Sequence, residues 1–235
     1  MAETALYLIP VPLGDGDLSQ MLPPMNIALV GEIKHFIVEN VRSARRFLKK
    51  CDCNIDIDSL TFYELIRHTD PRDVDAYLNP LVTCHAMGVI SEAGCPAIAD
   101  PGADVVAIAQ RKKLKVRPLV GPSSILLGLM GSGFNGQSFA FLGYLPIDPS
   151  YRTRKLKEME QRIMRENQSQ IFIETPYRNN QLLAELVKTL PTNLKLCVAT
   201  DLTGKQEKMI TQSIKEWSKT SIDLHKVPTI FLLYK

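Results

Sequence analysis

The sequence predicts an α/β protein with two sheets, an N-terminal one that is mainly parallel and a C-terminal one that is mixed. Three observations predict this. Up to about residue 135, short apolar runs alternate with helical periods, the pattern of a parallel sheet covered on both faces. Beyond that point the runs follow one another too closely for a crossover helix between every pair, so some neighbours must be antiparallel. Finally, two turns rich in Gly and Pro, within GVISEAGCPAIADPG (88–102) and VRPLVGPSS (116–124), each follow an apolar run. Rigid turns at strand ends, where glycine admits close approach of backbone, are where open α/β sheets hold ligands.

The elements follow in order. ALYLIP (5–10) reads as a strand, residues 25–33 as a short helix, HFIVE (35–39) as a second strand and VRSARRFLKK (41–50) as a basic helix. Asp70 as N-cap and Pro71 at the first helical position start a helix through DPRDVDAYLNPLV. AMGVIS (86–91) is a third strand, and 102–113 a helix whose cationic last turn suits its dipole. KVRPLV (115–120) is a fourth strand and PSSILLGLMGSG a buried helix. In the second half, strands are expected at 138–146, 170–175, 194–200, 207–213 and 227–234. Helices are expected at 150–167 and 178–190, with a short one starting at SIKEW. A boundary near 118–122 gives domains 1–119 and 120–235, with the ligand turns around their junction.

Composition bounds the function loosely. With 235 residues, 45% hydrophobic and 23% charged, the chain has ample length for a buried core. A net charge of +3 permits an anionic partner without requiring one. Five scattered cysteines predict reduced thiols and a cytoplasmic protein, and the C-x-C pair Cys51/Cys53 has no second pair to complete a metal site. His35, His68, His85 and His225 show no ligand spacing, so no metal is expected. The N-terminal ALYLIPVPL, with Glu3 before it and two prolines inside, reads as a strand rather than a signal peptide. No stretch reaches the ~20 apolar residues of a membrane span.

Six stretches in order carry a family likeness: LYLIPVPLGD (6–15), ISEAGCPAIADPG (90–102), PLVGPSSIL (118–126), FLGYLP (141–146), IFIETPYR (171–178) and ATDLTGKQE (199–207). Through them the chain resembles the tetrapyrrole methylase superfamily of S-adenosylmethionine-dependent methyltransferases. Within it the likeness is to the bacterial enzymes that 2′-O-methylate a ribose of small-subunit ribosomal RNA. The resemblance implies two α/β domains with the cofactor in the cleft between them, in a homodimer. It also implies cofactor loops without a G-x-G-x-x-G turn, and none follows the first strand here. Carried over by position, it assigns the cofactor Leu13, Cys95, Ile98, Ser123 and Ser124 in the first half, and Thr175, Ala199 and Thr229 in the second. Many such contacts use main-chain groups. The amide edges and hydroxyls of Ser123 and Ser124 suit the cofactor's polar groups, and Leu13, Ile98 and Ala199 its adenine and ribose.

The chain departs from its RNA-methylating relatives in several places. Their Glu-Asp-Thr-Arg is Glu39-Asn40-Val41-Arg42 here, their Ser-Asp-Ala-Gly-Thr-Pro is Ser91-Glu92-Ala93-Gly94-Cys95-Pro96, and their Glu-Ser-Pro-His-Arg is Glu174-Thr175-Pro176-Tyr177-Arg178. Their Glu-Leu-Thr-Lys is Asp201-Leu202-Thr203-Gly204. Arg42, Glu174, Tyr177 and Arg178 are the candidates for the acceptor side: a guanidinium can grip a phosphate and a carboxylate can orient a hydroxyl. Asp100 is expected to order its own turn. The helix at 150–167 holds six basic against three acidic residues, a surface that could follow a phosphate backbone or simply face solvent. The expected activity is methylation of a ribosomal RNA ribose. The alternatives are a methyltransferase of this fold acting on a tetrapyrrole or other small molecule, and a non-catalytic module. Ser123→Tyr and Gly94→Val are both expected to fill the cofactor cradle and leave the fold intact.

Overall fold

The computed structural model describes residues 2–66 and 69–235; His68 lies outside them. The chain divides into two compact units, the first ending at Ser123 and the second running from Ser124 to Lys235.

The first unit contains β1 (Leu6–Ile9), α1 (Leu18–Met21), α2 (Pro24–Val30), β2 (His35–Val38), α3 (Val41–Cys51), β3 (Thr61–Glu64), α4 (Pro71–Tyr77), α5 (Asn79–Val82), β4 (Met87–Ile90), α6 (Gly102–Arg111) and β5 (Val116–Pro118). Its five strands are all parallel, in the order β3-β2-β4-β1-β5. β1 and β4 are buried along their whole length because both faces of the sheet are covered. The period of two sorts their side chains. Leu6, Leu8, Met87 and Val89 pack with Val105 and Ile108 of α6. Tyr7, Ile9 and Ile90 face the other way, into a cluster with Ala44, Phe47 and Leu48 of α3.

Sequence reasoning missed β3. It pairs with β2 at the sheet edge and leaves Thr61 and Glu64 exposed, so no buried alternation marks it; Phe62 holds it by stacking on Phe36 with centroids 6.0 Å apart.

Asn40 caps α3: its side-chain oxygen accepts from the N–H groups of Arg42 (2.9 Å) and Ser43 (3.1 Å). Asn and Asp cap helices about equally well, so the amide serves here as a carboxylate would. Asn40→Ala should cost about 1 kcal/mol in a denaturant titration and Asn40→Asp almost nothing. An alanine variant as stable as the parent would remove the cap from the account.

The second unit contains α7 (Ser124–Ser132), β6 (Phe139–Tyr144), α8 (Pro149–Glu166), β7 (Ser169–Ile173), α9 (Asn179–Thr189), β8 (Lys195–Thr200), β9 (Lys208–Ser213), α10 (Ile214–Trp217) and β10 (Thr229–Tyr234). The sheet order is β6-β7-β10-β8-β9. Only β6 and β7 are parallel, so the sheet is mixed. Phe172 and Phe231 stack 5.7 Å apart on one face, in a core with Leu156, Met159 and Ile163 of α8 and Leu182 and Leu186 of α9. Ser213 and Glu216 form a capping box that starts α10, and the indole N–H of Trp217 donates to the Leu196 carbonyl at 2.8 Å.

α7 is not the buried helix that its composition predicts. Gly128 and Leu129 are buried, but Leu126 and Met130 are 52% and 78% exposed. Gly128 lies where one side of the helix packs closely on β10. A Cβ there would stand 3.2 Å from Ile230 and 3.3 Å from Leu232.

Candidate functional site

In the first unit, three loops meet at the carboxyl edge of the parallel sheet, where α/β sheets bind ligands. The loop after β1 and the turn after β4 exchange two backbone hydrogen bonds, Val11 N–H to Gly94 O (2.9 Å) and Gly94 N–H to Val11 O (3.1 Å). The loop after β5 joins them: the Cys95 thiol donates to the Pro122 carbonyl at 3.3 Å. Burial raises the pKa of that thiol, which keeps it protonated as a donor. The buried Asn26 of α2 braces the same loop by donating to Val120 O at 2.8 Å.

Gly94 sits at the centre with φ +70°, its missing Cβ replaced by the Leu13 side chain at 3.0 Å and the Pro122 carbonyl at 3.4 Å. Leu13, Cys95 and the stretch leading into Ser123 are therefore brought together around one glycine. Ile98, further along the turn, is 49% exposed. The expectation that Gly94→Val leaves the fold intact is corrected here. A β-branched residue at φ +70° is strained whatever space surrounds it, so that variant cannot separate binding from stability.

The turn after β4 is unusual in its own right, because Ala97 (φ 66°) and Ala99 (φ 62°) both adopt the left-handed conformation. Asp100 holds it there. Its Oδ1 accepts from Gly102 N–H at 2.7 Å and Ala97 N–H at 3.0 Å. Burial raises the Asp100 carboxyl pKa, opposed by these backbone donors. Glu39, at the end of β2, accepts from Glu92 N–H at 3.2 Å. Its pKa is also raised, first by burial, with the Asp100 and Glu92 charges adding to it. Glu39 did not stand out among the sequence candidates. Its signal was a carboxylate directly after the buried apolar run Phe36–Val38, where burial raises pKa.

In the second unit the candidates lie at one end of the sheet. Thr175 follows β7, Thr229 begins β10, and Ala199 is the penultimate residue of β8. Thr229 pairs with Thr200 and Ala199 with Ile230, so Ala199 and Thr229 are neighbours on adjacent strands but point to opposite faces. Both are buried, and the Thr229 hydroxyl donates to the Val227 carbonyl at 2.9 Å. Ser124 opens α7.

Glu174 is buried, and one oxygen of its carboxylate takes three donors: Thr175 N–H (2.6 Å) and the Arg178 Nη2 (2.6 Å) and Nε (3.1 Å). It ties down its own turn. Tyr177 is 70% exposed, with the His225 ring edge-on at 6.0 Å and the Lys226 ammonium 5.8 Å from its centroid. The DLTG turn is closed by Asp201, which accepts from Gln206 N–H at 2.9 Å, with Asp201 (φ 48°) and Thr203 (φ 66°) left-handed. Arg42, in the first unit, lies exposed in the first turn of α3. Among the described residues, no group of three or more His, Cys, Asp or Glu could hold a metal ion, and no helix is long and apolar enough to cross a membrane.

No family model matches the sequence. Curated relatives do. The chain is 29% identical over 199 residues to Ribosomal RNA small subunit methyltransferase I of Vibrio cholerae, covering 84% of this chain and 65% of that protein. It is 25% identical over 213 residues to the protein of the same name from Hydrogenobaculum, covering 90% and 86%. The chain spans about two thirds of the length of the first relatives it matches. Among solved structures it is similar to the methyltransferase CobJ, with TM-score 0.66, 13% identity and coverage of 98% and 94%. It is also similar to the Thermus thermophilus uroporphyrin-III C-methyltransferase complexed with S-adenosyl homocysteine, with TM-score 0.55, 15% identity and coverage of 98% and 97%. At these identities the structures speak for the fold alone.

Proposed function

We propose that this chain, which has the tetrapyrrole methylase fold and resembles the small-subunit ribosomal RNA methyltransferases in sequence, transfers a methyl group from S-adenosylmethionine to a ribose 2′-hydroxyl of ribosomal RNA. One observation carries the cofactor part. The loops that hold Leu13, Cys95 and Ser123 converge on Gly94 at the carboxyl edge of a parallel sheet, packed so closely that a Cβ there would stand 3.0 Å from Leu13 and 3.4 Å from the Pro122 carbonyl. The acceptor part rests on sequence. The RNA-methylating relatives are 25–29% identical, whereas the solved tetrapyrrole enzymes reach only 11–15%.

Leu13, Cys95, Ile98, Ser123 and Ser124 would hold the cofactor from one side of the sequence, and Thr175, Ala199 and Thr229 from the other. Cys95 spends its S–H on Pro122 and Thr229 its O–H on Val227, so neither side chain has a donor to spare for the cofactor. When bound, S-adenosylmethionine supplies an electrophilic methyl carbon to the acceptor oxygen. The protein's task is alignment, because effective concentration lowers the barrier to an in-line displacement in which the acceptor hydroxyl would give up its proton to water and the cofactor would leave as the neutral thioether. Arg42, Tyr177 and Arg178 would face the acceptor, with Glu174 as the positioning residue that fixes Arg178. The working form is a cytoplasmic homodimer.

Calorimetric titration with S-adenosylhomocysteine tests the cofactor assignment. The parent should bind, and Ser123→Tyr should lose about a hundredfold or more in affinity, because a phenol ring from a half-buried position occupies the cradle. Its melting curve should stay that of the parent. Equal affinity in a folded variant would remove Ser123 and the β5 loop from the site.

A further inference from the structure

The chain carries two basic helices, and the structure separates them. On α8 the charge is largely spent internally. Arg152 pairs with Glu185, Lys155 and Arg162 both pair with Glu158, and Arg154 lies over the Tyr151 ring at 5.5 Å. α3 has five cations in eleven residues and no acid. Two of them are engaged, Arg45 over the Phe62 ring at 5.4 Å and Lys49 donating to Cys53 O at 2.8 Å. The side chains of the other three, Arg42, Arg46 and Lys50, have no ion-pair or hydrogen-bond partner among the described residues. They recur every four residues on one flank of the helix, with Ala44, Phe47 and Leu48 turned into the core. Each step is about 6 Å along the axis, close to the interval between successive phosphates of a nucleic-acid strand. Arg42 also stands in the first turn, where the helix dipole disfavours a cation. That position gains nothing for the helix itself.

Beside this stripe lies a cavity of about 390 Å³, within the range of small-ligand pockets. Arg46 and Lys50 line one wall, and Phe47, Ile90 and Val11 give it an apolar floor. Asp15 and Glu92 stand on its rim. Carboxylates repel phosphate but accept from a base amino group or a ribose hydroxyl. The pocket also touches Pro12 and Gly14, the residues on either side of Leu13.

The geometry points to a nucleotide subsite for single-stranded RNA. Successive phosphates run along Arg42, Arg46 and Lys50, and one nucleoside enters the cavity, with its polar hydrogens toward Asp15 and Glu92. This deepens the methyltransferase reading and rests on it for the identity of the strand.

The test measures binding of a fluorescein-labelled single-stranded RNA oligonucleotide to the full chain and to Arg46→Ala/Lys50→Ala, across a salt series. S-adenosylhomocysteine calorimetry runs in parallel. The double variant should bind RNA about tenfold more weakly, and its log–log salt slope should be shallower by about 1.4, the loss of two single-strand phosphate contacts. Its cofactor affinity should be unchanged. Lys155→Ala/Arg162→Ala on α8, whose charges are already met by Glu158, should match the parent. Equal RNA affinity and slope in parent and α3 variant overturns the subsite, even if the cofactor binds. RNA binding that depends on Arg46 and Lys50 in a chain that fails to bind S-adenosylhomocysteine upholds the subsite and overturns the activity. Inorganic phosphate that competes as well as RNA, phosphate for phosphate, overturns the strand in favour of a simple anion site.

Discussion

Gly121→Ala is expected to lower the melting temperature by about 6–12 °C, the effect of about 3 kcal/mol in a protein of this size. A Cβ at that position would stand 2.2 Å from Cβ and 2.3 Å from Cγ of Pro10. The obstacle is a proline ring fused to its own backbone, so it cannot swing aside as the end of a long side chain would. Either the loop after β1 or the loop after β5 must move, and both flank proposed cofactor contacts. The same substitution should therefore weaken S-adenosylhomocysteine binding as well as the fold. Gly121, unlike Gly94, has no positive φ, so any loss reports the contact and not backbone strain. Gly136→Ala is the control. Nothing lies within 4 Å of a Cβ there, and its stability should stay within about 0.5 kcal/mol of the parent. A Gly121 variant as stable as Gly136→Ala would show that the two loops are not packed as described.

The second large effect is expected at Glu174. Removing its carboxylate in Glu174→Ala orphans the Thr175 N–H and leaves Arg178 without its partner. Breaking a fully buried pair costs about 3–5 kcal/mol, but Arg178 keeps 35% of its side chain exposed and recovers part of that through water. A loss of about 2 kcal/mol is the expected result. Glu174→Gln keeps an acceptor for Thr175 and gives up only the charge, so it should lose about half as much. The chain's single tryptophan, Trp217, is buried in the same unit, so its fluorescence in a urea titration follows the right transition. If both variants unfold at the parent midpoint, the turn is held by something other than Glu174. If the alanine variant is folded but no longer binds cofactor, the carboxylate acts by positioning Thr175.

Much of this was legible in the chain, and the limits have physical causes. The fully apolar runs LYLI and MGVI announced strands buried on both faces, and the close spacing of the last runs announced a mixed sheet. Asp70 with Pro71 marked a helix start by side-chain chemistry that acts locally. β3 escaped because an edge strand buries too little to print a period. α7 was misread because an apolar helix can be exposed, and composition does not tell which surface covers it. At the site, glycine and proline in the turns were readable as backbone requirements. Their partners across the fold were not. Nothing near Gly121 in sequence says that Pro10 will stand against it, and nothing in Glu39 says that Glu92 and Asp100 will crowd it. Charge was misleading in the same way. α3 and α8 both look basic, and only the pairing of Glu158 and Glu185 tells a neutralised surface from a free one.

The strand order of the first unit also sets a timetable for the growing polypeptide. β1 is made first, yet it pairs with neither β2 nor β3; Leu6 must wait for Met87 and Val116. Loop closure over such separations is slow, and a strand without partners is an aggregation hazard meanwhile. β2 and β3 can pair early, but the middle of the sheet stays open until β4 is translated, and the edge beyond β1 until β5 is. The carboxyl-edge loops, Gly94 among them, thus take shape last, after nearly the whole unit has left the ribosome. The second unit contains the other extreme. β8 and β9 are antiparallel neighbours joined by the seven residues 201–207, a hairpin that can form as soon as it is synthesised.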